Sequence, residues 1–183
     1  MRVTKEKAAE NRERILKAAA RLFRERGIGR VGVDAVTEAA GLTHGSLYSQ
    51  FGSKERLAAE ALSYAMARST AKLDAIESLA EYVSLYLAEA HRDAPGRGCT
   101  LAALCCEMPR ESGAVRHSFT EGFRQMVERV SRLLEKTPER QREDEALEVV
   151  ATLIGALVLS RAVDDPKLSA RILKAGKAGL TKD

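Results

Sequence analysis

The stretch that decides the fold is Val33-Asp-Ala-Val-Thr-Glu-Ala-Ala-Gly-Leu-Thr-His-Gly-Ser-Leu-Tyr-Ser-Gln-Phe-Gly-Ser-Lys-Glu-Arg-Leu57. Val33, Val36 and Ala40 recur at three and four, the spacing of one helix face, and Gly41 ends that helix. Thr43 then stands as an N-cap, its hydroxyl expected to accept from the amide of Gly45 or Ser46, for a second helix reaching about Phe51. Two short helices about a glycine turn read as a helix-turn-helix. Ser53 caps the next element, a long helix through about Lys72 that carries Leu57, Ala61, Tyr64 and Ala65.

Upstream, residues Glu10 to Arg26 place Ile15, Ala19, Leu22 and Phe23 on one face, with Arg12, Arg14, Lys17, Arg21 and Arg24 around the others and Gly27 as the stop. Downstream, Leu79, Val83, Tyr86, Leu87 and Ala90 mark one helix that ends near Pro95-Gly96. Gly98 to Glu107 is a shorter one. Val115, Phe119, Phe123, Met126, Val130 and Leu133 outline a long helix before Pro138, Glu143 to Asp164 form another, and Pro166 opens the last. Each of Pro95, Pro109, Pro138 and Pro166 is expected to begin or end a helix, because the ring removes a donor and clashes with the preceding turn. No alternating β-branched run interrupts this pattern, so the chain reads as all-α: a three-helix N-terminal domain over residues 1–53 joined by a long helix to a helical domain over residues 54–183.

Composition narrows the function. A chain of 183 residues with 45% hydrophobic and 31% charged residues can build a sizeable core. Four Tyr, four Phe and no Trp make a poor platform for stacking single-stranded bases. The longest apolar run, Val149 to Leu159, falls well short of the ~18 residues of a membrane span. The basic N-terminus has no apolar segment behind it, which points to a cytoplasmic protein. Cys99, Cys105 and Cys106 do not form an extracellular disulfide framework and lack the paired knuckles of a zinc site. The net charge of +4 is concentrated at the front: residues 1–57 carry 12 Lys and Arg against 7 Asp and Glu, and the remainder is nearly neutral. An anionic partner for the first part alone follows, with nucleic acid leading.

The residues of the second short helix suit that partner. A helix of this length enters a major groove about 12 Å wide, its N-terminal side chains nearest the base edges. In the segment Thr43 to Gln50, Gln50 can pair with adenine, His44 can donate to guanine or phosphate, and Thr43, Ser46 and Ser49 add hydroxyls. Gly45 allows close backbone approach, while Leu47 and Phe51 read as core. Lys54 opposes the dipole of its own helix at a cost of ~0.3–1 kcal/mol, a sign that a bound phosphate reverses; the alternative is a solvated lysine offset by Glu55. Lys5, Lys7, Arg12 and Arg14 read either as backbone contacts from an N-terminal arm or as a solvated helix end.

Ala39-Ala40-Gly41, Gly45-x-Leu47-Tyr48, Phe51 and Ser53-Lys54-Glu55 together resemble the DNA-binding region of the TetR family of bacterial transcriptional regulators, and Leu-Thr-His-Gly resembles a subset of it. Gly98-Cys-Thr-Leu-Ala-Ala-Leu104 and Ile154 to Arg161 continue the resemblance more weakly. Gly32 departs from the Ser or Thr of many relatives, and Asp34 stands where a basic residue is common. The resemblance implies a phosphate contact for Tyr48, whose other reading is core packing with an exposed hydroxyl. It also implies a C-terminal ligand-binding and dimerisation domain whose last two helices form a four-helix bundle with those of a second subunit.

On that basis Ala151, Gly155, Ala156, Leu159 and Ser160 are candidate dimer contacts, the alternative being an ordinary buried helix; a glycine inside a helix costs ~1 kcal/mol relative to alanine and favours a packing reason. Tyr86, Leu101, Leu104, Cys105, Met108, Phe119, Phe123 and Met126 are candidates for an apolar pocket, or at helical spacing simply core. Adjacent Cys105 and Cys106 point about 100° apart on a helix, so one thiol could face that pocket as an oxidant or electrophile sensor; two inert buried thiols are the alternative. His44, His91 and His117 sit in no catalytic spacing. The expected protein is therefore a homodimeric repressor, not an enzyme, without metal or cofactor. It binds a near-palindromic DNA operator and is released by a small apolar or electrophilic effector. The other readings are a small helical enzyme using a hydrophobic pocket and an effector-free architectural DNA-binding protein.

Overall fold

The computed structural model describes residues 4–73 and 75–181, and every regular element among them is helical. Helix α1 (Lys5–Arg26) starts earlier than its apolar stripe, because the Thr4 side chain accepts from the Lys7 amide; it stops at Gly27, whose φ of 84° suits a residue without a side chain. Helix α2 (Val33–Ala40) has no side-chain cap at Gly32 and ends at Gly41 in the left-handed region, where the Gly41 amide closes on Glu38 and Thr37 carbonyls. Helix α3 (His44–Phe51) and helix α4 (Lys54–Leu73) follow, the latter with the Ser53 hydroxyl accepting from the Arg56 amide.

The next segment departs from the expected single helix. Helix α5 (Leu79–Tyr86) breaks at buried Leu87, and a four-residue α6 (Glu89–Arg92) and a 3-10 turn (Pro95–Arg97) succeed it. Tertiary hydrogen bonds override the local periodicity here. Arg24 Nε of α1 donates to the Gly96 carbonyl at 3.0 Å, and Arg161 donates to the carbonyls of Arg92 at 3.0 Å and His91 at 2.6 Å. Helix α7 (Thr100–Leu104) also stops short of Glu107, whose carboxylate is used to accept the Ile28 amide at 2.9 Å. Helix α8 (Gly113–Leu133) matches its stripe, α9 (Glu139–Ala162) begins directly after Pro138, and α10 (Pro166–Leu180) is capped by Asp165.

Helix α4 packs on α1 along one side and on α8 along the other; α8 in turn packs on α9, and α9 forms an antiparallel hairpin with α10. One continuous core runs through the molecule, from Ile15, Phe23, Leu47 and Phe51 in the head, through Leu57 and Leu62, to Leu104, Val130, Leu153 and Leu157. Among the described residues no helix is long and apolar enough to cross a membrane.

Candidate nucleic-acid interface and effector cavity

Helix α3 is held by two side chains and presents the rest. Leu47 and Phe51 are buried, and the Arg12 guanidinium lies 4.4 Å from the Phe51 ring centre while pairing with Glu60 of α4. This locks α1, α3 and α4 into one head. Thr43, His44, Gly45, Tyr48 and Ser49 are exposed, while Ser46, Gln50 and Lys54 are half-buried. A side chain placed at Gly45 would meet nothing within 4 Å, so its backbone lies open to close approach by a groove wall.

The Thr43 hydroxyl does not cap the helix as the sequence suggested: it pairs with the Ser46 hydroxyl at 3.1 Å instead. Asp34 has a clear partner. Its carboxylate sits 2.7 Å from His44 Nε2, and the imidazole stands at a tilt to the Tyr48 ring, centres 5.6 Å apart. Asp34 thus orients the first side chain of the exposed helix face.

Between α4, α5, α7 and α8 lies a cavity of about 230 Å³, lined by Met66, Ser69, Tyr82, Leu85, Tyr86, His91, Arg97, Gly98, Cys99, Thr100, Leu101, Gly122, Gln125, Met126 and Arg129. No Asp or Glu lines it. Burial pushes the Tyr82 and Tyr86 phenols well above their ordinary range, so both stay neutral hydroxyls. Tyr86 is 7% exposed, and among the described residues no hydrogen-bond partner reaches its hydroxyl; the Cys99 thiol is its polar neighbour.

The cavity floor is a histidine clamp. The Cys99 amide donates to His91 Nε2 at 2.9 Å, which leaves Nδ1 carrying the proton that it donates to the Tyr86 carbonyl at 2.6 Å. Burial lowers the pKa of the ring, and the nearby Arg161 charge lowers it further against the opposing Tyr86 bond. The neutral ring therefore ties the end of α5 to the start of α7. Gly98 makes this possible, because a Cβ there would lie 2.7 Å from His91 Nε2.

With the geometry in view, family models fit both halves of the chain: bacterial regulatory proteins of the tetR family over residues 15–61, and a tetracyclin repressor-like C-terminal domain over residues 75–175. The chain belongs to the TetR family. Within it, the head is 42% identical over 57 residues to the HTH-type transcriptional regulator TtgR of Pseudomonas putida, a match covering 31% of this chain and 27% of that regulator. It is 39% identical over 59 residues to AcrR of Shigella flexneri, covering 32% and 27% of the two chains. The matched segment thus spans well under a third of those relatives. Whole-chain likeness is found in fold: the reduced form of E. coli NemR superposes with a TM-score of 0.79 at 21% identity, covering 94% of this chain and 95% of that one. A TetR-family regulator from Cytophaga hutchinsonii gives 0.75 at 24% identity over the whole of both chains.

Of the pocket candidates read from the sequence of this TetR-family chain, Tyr86, Leu101 and Met126 line the cavity. Leu104 and Met108 are buried core, and Phe119 and Phe123 pack half-buried against that core away from the cavity. Cys105 is likewise outside it: its sulfur lies 3.8 Å from that of exposed Cys106, and burial, with the Cys106 contact, pushes its thiol up to about 11. The cysteine on the cavity wall is Cys99.

On α8 the expected apolar stripe of Phe119, Phe123, Met126 and Val130 contributes Met126 alone to the face that opens inward. That face is Gly122, Gln125, Met126 and Arg129, also at helical spacing and half polar. Among the dimer candidates, Ala151 and Leu159 are exposed and Gly155 half-exposed, whereas Ala156 and Ser160 are buried inside the subunit. The Ser160 carbonyl accepts from the Ser169 hydroxyl, and Ala156 faces Gly176 of α10. Those two residues serve the α9–α10 hairpin.

Proposed function

We propose that this chain is a transcriptional repressor of the subset opening its recognition helix with Leu-Thr-His-Gly, that it binds a near-palindromic operator as a homodimer, and that a small effector in the α4–α8 cavity releases it. The observation that carries the DNA reading is the α3 face. Thr43 at the N-cap and His44, Gly45, Ser46, Tyr48, Ser49 and Gln50 lie on a helix whose fully buried side chains are Leu47 and Phe51, with Lys54 at the start of the next helix for a phosphate.

Dimerisation is supported by a second feature. Leu147, Ala151, Gly155, Leu159 and Ala162 follow one another along α9 at four, four, four and three, and none is fully buried. Leu159 is 56% exposed and Leu168 of α10 is 40% exposed. A Cβ at Gly155 would meet nothing within 4 Å in the subunit, so the glycine answers no internal need, which supports close approach by a second copy.

The effector reading rests on the cavity. Its largely apolar wall and the buried Tyr86 hydroxyl favour a compact, mainly apolar molecule offering one acceptor. Its floor, the His91 clamp, connects to α1 through the 95–97 turn and Arg24, so a shift there reaches the head. Selection of bound fragments from random duplexes tests the DNA reading. Enrichment of a two-fold pattern with half-sites about one helical turn, roughly 34–36 Å, or a small multiple apart is expected; recovery of fragments without any shared pattern refutes it.

A further inference from the structure

Four basic residues of α1 line a surface separate from the recognition helix. Arg14, Lys17, Arg21 and Arg24 repeat at three, four and three, so they stand on one face of the helix, along about 15 Å of its axis. That face opens onto a cleft of about 530 Å³ between the head and the core, and Arg68 of α4 and Arg97 of the 95–97 turn face it from other walls. No Asp or Glu lines the cleft. Three carboxylates act on these cations: Glu25 on Arg21 at 3.3 Å and also on Arg24, Glu13 on Arg68 at 3.7 Å, and Glu10 on Arg14. Arg14 and Arg24 donate to the neutral carbonyls of Gly41 and Gly96, and Lys17 and Arg97 have no carboxylate partner among the described residues.

Six cations around one concave surface repel one another, although all but Arg24 are exposed and solvent-screened, and an anion placed between them relieves that repulsion. Guanidinium forks match phosphate oxygens in pairs, which a single lysine cannot do. The cleft includes no residue of α3 and not Lys54, so it is separate from the recognition face. It is also distinct from the effector cavity, although Ser69, Arg97 and Gly98 form a wall common to both.

We propose that this head–core cleft is a binding site for a compact oligophosphate, either a nucleoside triphosphate or an inorganic phosphate chain. Such a ligand bridges α1 of the head to the 95–97 turn of the core through Lys17, Arg21 and Arg97. The shared wall makes it a second input beside the apolar effector.

Titration calorimetry of the full chain without DNA, at about 0.15 M salt so that diffuse attraction is screened, tests this with inorganic tripolyphosphate and with adenosine triphosphate. One ligand per chain is expected, with at least a ~10-fold loss of affinity in Lys17→Glu and in Arg97→Glu. Lys54→Ala is expected to keep its affinity within about two-fold. Similar affinity for the two probes assigns the site to the phosphate chain alone; a nucleotide preference of ~10-fold or more assigns it to nucleotides. Three results overturn the proposal: no heat of binding at millimolar ligand, several ligands per chain, or a Lys54→Ala loss equal to that of Lys17→Glu. The last result would mean that the phosphates follow the path of a DNA backbone.

Discussion

Replacing His91 tests the clamp beneath the cavity. In the folded chain both ring nitrogens are in use, Nε2 as acceptor from the Cys99 amide and Nδ1 as donor to the Tyr86 carbonyl. Protonation at Nε2 would break the first bond and set a cation beside Arg161, and burial already lowers the folded pKa below the usual 6.5. The unfolded chain therefore takes up the proton first as pH falls. The stability from His91 is complete above about pH 6.5 and is lost below it, at up to ~1.4 kcal/mol per pH unit, until the folded ring also protonates. His91→Gln keeps one donor and one acceptor but cannot titrate; His91→Ala leaves a carbonyl and an amide unsatisfied, costing about 2–4 kcal/mol above about pH 6.5, a difference from wild type that shrinks as the pH falls. Urea unfolding of the three proteins at pH 8, 6.5 and 5.5 separates these effects. The wild type should lose stability relative to His91→Gln only in the acid range, with His44 and His117 common to both. Identical acid slopes in the two proteins would refute the neutral-clamp reasoning.

The other predictions concern separate surfaces. Leu159→Asp places a charge where an apolar side chain is expected to be buried in each of two subunits, and Gly155→Leu separates the paired helices; either should weaken dimerisation by ~100-fold or more, and an unaltered mass in light scattering would refute the α9 placement. Lys54→Ala should weaken binding to all duplexes and reduce the slope of log affinity against log salt by about 1 per subunit, while His44→Ala and Gln50→Ala should alter base preference; an unchanged salt slope removes the phosphate role. Burial, the leading cause of the raised Cys105 thiol pKa, survives removal of Cys106, whereas Cys106 is exposed, so in a Cys99→Ser background maleimide should label a Cys106→Ser chain more slowly than a Cys105→Ser chain; equal rates would show that burial does not protect Cys105.

What the sequence determined by itself was most of what local chemistry governs, the caps at Thr4 and Thr43 excepted. Periodicity at three and four, glycine stops at 27 and 41, the Ser53 cap and the four prolines yield the all-α class, the boundaries of α2, α3 and α4 within a residue or so, and the anchoring of α3 through Leu47 and Phe51. These signals lie within a few residues of the element they set. Tertiary structure decided what depends on distant partners. The break at Leu87 follows from Arg24 and Arg161 bonding to segments seventy-two and sixty-nine residues away, interactions that no window along the chain contains. The cavity wall on α8 was illegible for a related reason: a charged residue such as Arg129 reads as solvent-facing until the helices around it bury it. Small residues of α9 likewise look alike in sequence. Only the position of α10 turns Ala156 and Ser160 inward and leaves Ala151, Gly155 and Leu159 on the outer side, because a helix face acquires its meaning from the neighbour that covers it.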